Sequence, residues 1–162
     1  MSIAVCDILD EGRVLLATEA SPQVRSKEQA LRALARLLAK DAEAGAAERI
    51  EGVLREREKL QSTGVGSGVA IPHGSLDGFR GLVGAVLLCP QPIPFDAIDG
   101  EPVSILFAVV GPRKATGEHL QALARVSRLL RNESFRKQLL RSPTGVEAFR
   151  LLAHEESRVS AP

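Results

Sequence analysis

Apolar positions along this chain follow two periods, and their order already sorts it into helices and buried strands. Leu31, Leu34, Leu37 and Leu38 recur at three- and four-residue spacing, the mark of an amphipathic helix. Ser26-x-x-Gln29 ahead of them is a capping box: the serine oxygen takes a backbone N–H and the glutamine reaches back. Asp41 to Gly45 breaks the pattern, and Ile50, Val53 and Leu54 set the apolar face of a second helix over about 46–60. Leu82–Leu88 and Val103–Val110 are nearly continuous apolar runs bounded by Gly or Pro, as expected of central strands buried on both faces. A shorter run, 69–72, reads as a strand with His73 at its end.

Further along, Thr116 opens a third helix, with Leu120, Leu123, Val126 and Leu130 assigned to its apolar side. Asn132 caps a segment bearing Phe135, Leu139 and Leu140, and Thr144-x-x-Glu147 is a second capping box before Phe149 and Leu152. Within residues 1–20, Ile8-Leu9 and Val14–Leu16 are the expected anchors. Pro90–Pro94 is too proline-rich for a central strand. Phe95–Gly100 suggests a short edge strand and a turn at Asp99-Gly100. The 162 residues fit one domain, 1–158, with 159–162 as a frayed tail.

Composition narrows the function classes. With five Phe and neither Trp nor Tyr, the chain lacks the rings of a single-stranded nucleic-acid platform. A net charge of +1 gives no strong field towards nucleic acid or membrane. Basic residues do outnumber acidic ones between Arg113 and Arg141, which reads as solvated helix faces or as a docking surface for an acidic or phosphorylated partner. No segment approaches the ~20 apolar residues of a membrane span, and no basic-then-apolar leader opens the chain, so a cytoplasmic location is expected. Cys6 and Cys89 are far apart in sequence and suggest neither disulfide nor zinc; Cys89 reads as a buried small hydrophobe.

The candidate chemistry centres on His73, one of three histidines, displayed after Val69-Ala-Ile-Pro72 and a glycine-rich turn, Gly64-Val-Gly-Ser-Gly68. Imidazole is nucleophilic and largely neutral near pH 7, with a reference pKa of roughly 6.5. His119 sits in the first turn of the third helix, where the partly positive terminus favours an anion; a hydrogen-bonded core histidine is the alternative. Arg57 continues the apolar register of the second helix near its end, so it either snorkels to water or aims at something anionic. Arg55, Glu56, Glu58 and Lys59 around it read as exposed charge. If His73, His119 and Arg57 converge, they suit phosphoryl transfer, in which positioning and positive potential dominate. Gly64, Gly66, Gly68 and Ser67 could then add backbone donors. The glycines lack the strand-first order of a dinucleotide fingerprint and the lysine of a Walker loop. No His-Glu-x-x-His, His-x-His or Gly-x-Ser-x-Gly occurs, so neither a metal, a cofactor nor a serine hydrolase is expected. His154, among Glu155, Glu156 and Arg158, reads as a solvated histidine in the last helical turn.

The stretch from Glu58 to His73, with Val65, Gly66, Val69, Ala70, Ile71 and Pro72 in place, resembles the phosphorylation-site signature of type-2 enzyme IIA domains of the phosphoenolpyruvate-dependent phosphotransferase system. Arg55–Lys59, Phe95-Asp-Ala-Ile-Asp-Gly-x-Pro-Val and Glu118-His119-Leu120 extend the resemblance over most of the chain. It implies an α/β fold: a single domain with a mixed β-sheet of about five strands flanked by α-helices. It also implies that His73 accepts a phosphoryl group from HPr or an HPr-like carrier, with Arg57 and His119 as active-site partners. Sugar-specific members often carry an acidic residue where this chain has Ser67, and the Ser62-Thr-Gly-Val-Gly66 run is more like the nitrogen-regulatory branch. The sequence holds no IIB or IIC segment, so onward transfer is expected to need a separate IIB, unless the output is a regulatory target protein.

Overall fold

The computed structural model describes residues 3–20 and 23–160. In chain order the elements are β1 (Val14–Leu16), α1 (Lys27–Leu38), α2 (Ala46–Leu60), β2 (Gly64–Gly66), β3 (Val69–Ala70), β4 (His73–Ser75), β5 (Val83–Ile93), β6 (Val103–Gly111), α3 (Thr116–Leu129), α4 (Glu133–Leu140) and α5 (Gly145–Ser160). Short 3-10 turns occupy much of the N-terminal segment around β1. One mixed sheet runs β1-β5-β6-β3-β2, with β4 also on β6. β5 and β6 are antiparallel; β1 is parallel to β5, and β3 and β4 are parallel to β6.

Alternation along the two central strands builds two cores. Ala85, Leu87 and Cys89 of β5 join Leu106, Ala108 and Val110 of β6 beneath α1 and α2. Val86 and Leu88 join Ile105, Phe107 and Val109 beneath α3, α4 and α5. Successive side chains of a strand point to opposite faces, so an unbroken apolar run is what a sheet covered on both sides requires. Phe107 is fully buried, and its truncation to Ala would cost about 3–5 kcal/mol.

The caps are as expected. Ser26 accepts from Gln29 N–H at 3.2 Å, Asn132 from Phe135 N–H at 3.0 Å, and Thr144 from Glu147 N–H at 3.2 Å. Gln29 reaches back one residue further than the capping box implies, to Arg25 N–H at 2.7 Å.

Several expectations are corrected. β5 continues through Pro90 and Pro92 to Ile93. β1 pairs only with Val86–Leu88, and the ladder to β6 shifts register between Leu88 and Ile93, so these prolines sit where no partner needs their missing N–H. Phe95–Gly100 forms no strand: Asp96 turns left-handed (φ 54) and Gly100 N–H closes a turn on Ala97 O. Leu120 is 66% exposed, because the buried stripe of α3 runs through His119, Ala122, Val126 and Leu129. The 69–72 strand breaks at Ile71-Pro72, so His73 starts β4 instead of ending β3. α5 extends to Ser160, leaving the exposed His154 well before its end; positions 161–162 of the expected tail lie outside the described residues.

Candidate active site

β3 and β4 are two halves of one line alongside β6, separated by Ile71-Pro72. Proline has no N–H to donate, but its carbonyl still accepts Val109 N–H at 3.0 Å and keeps the line attached to the sheet. β2 pairs with β3 and not with β4, so His73 sits half-buried at an open sheet edge. On the α2 side, a Cβ at Gly74 would fall on Val53 Cγ1; the glycine lets β4 lie directly against α2. β3, β4 and β6 are parallel, so their carboxyl ends gather at one place, the usual site of chemistry in open α/β sheets. The chain leaves β6 there and enters α3, bringing in His119, which is 9% exposed and donates from Nε2 to Pro112 O at 3.2 Å.

The His73 ring is oriented by its backbone. Nδ1 lies 2.7 Å from Ile71 O, and a carbonyl can only accept, so Nδ1 carries the proton. Nε2 of the neutral ring then holds the lone pair, and it has no hydrogen-bond partner among the described residues. Burial is the largest influence on this imidazole and lowers its pKa below the usual 6.5. The Ile71 carbonyl opposes that shift, Arg57 and His119 add to it, and the Glu58 carboxylate works weakly against it. The site therefore favours a neutral, nucleophilic ring.

His73 and Arg57 line one shallow depression of ≈ 300 Å³, together with Gln61–Val65, Ile71, Ile98, Leu123 and Ser127. The Arg57 guanidinium donates from Nη1 to Gln61 O at 2.7 Å, which holds it against the segment after α2 in the wall of the depression. His119 is buried and does not line the depression; it stands close enough to His73 to act on it electrostatically. The structure thus brings His73, Arg57 and His119 together from three elements. Of the glycine run, only Gly64 lines the depression. Gly66–Gly68 belongs to a tight hairpin between β2 and β3, with Ser67 (φ 58) and Gly68 (φ 77) both left-handed, as a two-residue primed turn requires. Ser67 N–H is already given to Asp99 Oδ2 at 3.1 Å, so this amide is committed within the hairpin.

Glu58 departs most from its expected exposed place. It is 8% exposed and continues the buried stripe Ile50, Leu54, Glu58 of α2. Its Oε1 accepts from Thr63 N–H at 2.9 Å and from the Thr63 hydroxyl. Oε2 accepts no directed hydrogen bond, but Lys27 Nζ lies 2.8 Å away. Lys27 also sits over the Phe95 ring, 4.8 Å from its centroid. The four-residue spacing from Leu54 was the available signal; it was masked by the charged residues on either side. Cys89 is buried, and burial pushes its thiol up to about 12. No cluster of potential metal ligands occurs among the described residues.

Comparison with known proteins adds the lineage. Residues 12–155 match the family described as "Phosphoenolpyruvate-dependent sugar phosphotransferase system, EIIA 2". A nitrogen regulatory protein of Bradyrhizobium diazoefficiens is 44% identical over 133 residues, covering 81% of this chain and 85% of that protein. One from Pseudomonas aeruginosa is 37% identical, covering 90% and 92%. The crystal structure of the nitrogen regulatory protein IIA-Ntr from Neisseria meningitidis superposes with a TM-score of 0.79 at 35% identity, covering 90% of this chain and 97% of that one. With its mixed sheet, its flanking helices and a match over nearly its whole length, the chain belongs to the type-2 EIIA family of the phosphotransferase system.

Proposed function

We infer that the chain is a phosphocarrier: His73 accepts a phosphoryl group from the phosphohistidine of HPr or an HPr-like carrier, and the phosphorylated state has a regulatory output. The observation that carries this reading is the Nδ1–H bond to Ile71 O, which leaves Nε2 of a neutral ring free beside Arg57. In the transfer, the Nε2 lone pair forms the new N–P bond as the donor's N–P bond breaks, and the donor imidazole keeps that electron pair. Arg57 meets the charge on the phosphoryl oxygens. His119 can add a donor from Nδ1 only as an imidazolium, because its Nε2–H is committed to Pro112 O. Around the depression, Val65 and Ile98 are 51% and 66% exposed, and Leu60 and Leu120 stand out nearby, an apolar rim suited to a docking protein.

The regulatory reading is favoured by Ser67, which stands where a sugar-class member often has an acidic residue, and by near full-length similarity to nitrogen regulatory proteins. The phosphoryl group would add about two negative charges to the rim and change which proteins dock. The other reading is a fructose/mannitol-type component that passes phosphate to a separate IIB. We place either activity in the cytoplasm; no described helix is long and apolar enough to cross a membrane. Capture of partners by phosphorylated and unphosphorylated protein separates the readings. Binding in one state only supports regulation, whereas equal binding together with rapid transfer to a IIB would replace it.

A further inference from the structure

A continuous chain of contacts runs from α1 to the His73 ring. Lys27 Nζ pairs with Glu58 Oε2, and Glu58 Oε1 takes both donors of Thr63. Thr63 O accepts Ile71 N–H at 3.0 Å, and Ile71 O accepts His73 Nδ1–H at 2.7 Å. Each link joins a different stretch: the first turn of α1, the end of α2, the segment after α2, the break between β3 and β4, and β4 itself. Glu58 is the carboxylate that joins Lys27 to Thr63 in this series of contacts, and it also precedes the Gln61 carbonyl that holds Arg57.

We propose that Glu58 is a positioning residue for phosphoryl transfer, setting the tautomer and placement of His73 through Thr63 and Ile71, and the wall that holds Arg57. Two physical points support it. A carboxylate desolvated this far is costly unless it is paired and hydrogen-bonded, and here both Thr63 donors meet Oε1 while Lys27 supplies the opposite charge beside Oε2. The same negative charge opposes the depression of the His73 pKa, so it reaches the ring by field as well as by bonds. Lys27, Glu28, Arg55, Lys59 and Asp96 are the other charged groups around the Glu58 end of this cluster; Lys27 carries the pairing, and Asp96 lies 3.8 Å from it at the exposed end.

The proposal rests on His73 being the phosphoryl acceptor, but its first readout does not. Nitrogen-15 shifts of the His73 ring report tautomer and titration without any transfer. Wild type is expected to show the Nδ1–H form; Glu58→Ala is expected to mix the two tautomers and lower the titration midpoint. Glu58→Gln keeps an acceptor for Thr63 and loses the charge, so its midpoint falls while the Nδ1–H form persists. In transfer from a phosphorylated HPr-type carrier, Glu58→Ala is expected to lose about 10- to 100-fold in kcat with KM for the carrier little changed. Glu58→Gln is slowed less. Circular dichroism and the Thr63 amide resonance establish that each variant is folded. A wild-type tautomer and midpoint in folded Glu58→Ala, or a loss confined to KM, would overturn the proposal. A wild-type protein that takes no phosphate, with its ring still responding to Glu58→Ala, would instead remove the phosphocarrier reading alone.

Discussion

At the scale of single residues, the proposed transfer needs one imidazole kept neutral and one guanidinium in the wall of the same depression. Burial lowers the His73 pKa, so the folded protein binds fewer protons at this group than the unfolded chain does. The resulting stability is complete above the unfolded value of about 6.5 and is lost as pH falls from there through the lowered folded value. His73→Ala is therefore expected to lose less stability than wild type between about pH 7.5 and about pH 5.5, read as the shift in denaturant midpoint. An equal acid shift in both proteins would count against a depressed pKa. By the same sign, the acid limb of the transfer rate belongs below 6.5. Arg57→Ala removes a charge-assisted contact worth about 1.5–3 kcal/mol, so transfer should slow by about 10- to 150-fold with the melting temperature little changed. An unchanged rate would return Arg57 to a purely structural role. That His73, Arg57 and His119 could lie near one another was legible in the sequence, because each stands at or near an element end. Glu58 was not: one of two acids alternating with bases in Arg55–Lys59, it looks like solvated charge until Thr63 and Lys27 fold around it.

At the scale of elements, close backbone approach at β4 couples the sheet to α2. Gly74→Ala would drive a Cβ into Val53 and is expected to destabilise by about 1–3 kcal/mol while shifting β4 relative to the Arg57-bearing helix. Gly145→Ala forces a similar clash at the start of α5, against the Val14 carbonyl, far along the fold from His73. Both should lower the denaturant midpoint, and only Gly74→Ala should also slow transfer; equal effects on rate would mean stability alone is being read. Helices and central strands were legible because caps and periodicity are local: Ser26, Asn132 and Thr144 make the bonds their positions foretold. The sheet edges were not. Whether Pro90 and Pro92 interrupt β5 depends on which neighbour needs their N–H, and whether Leu120 is inside depends on where α3 meets the sheet. The break at Pro72 is also a tertiary matter: Val109 N–H holds the interrupted line to β6.

At the scale of the whole molecule, the two-faced core is what makes the site a surface. α1 and α2 cover one face of the sheet, α3 to α5 the other, and β4, packed against α2, is left with one edge unpaired. A shallow, apolar-rimmed depression fits the proposed role of His73, meeting another protein's phosphohistidine and then presenting its own. The most direct test is the intact mass after incubation with phosphoenolpyruvate, enzyme I and an HPr-type carrier, for wild type and His73→Ala side by side. The expected result is one acid-labile phosphoryl group on wild type and none on the folded variant. Stoichiometric labelling of His73→Ala would contradict the assignment, as would an unlabelled wild type beside a labelled control domain.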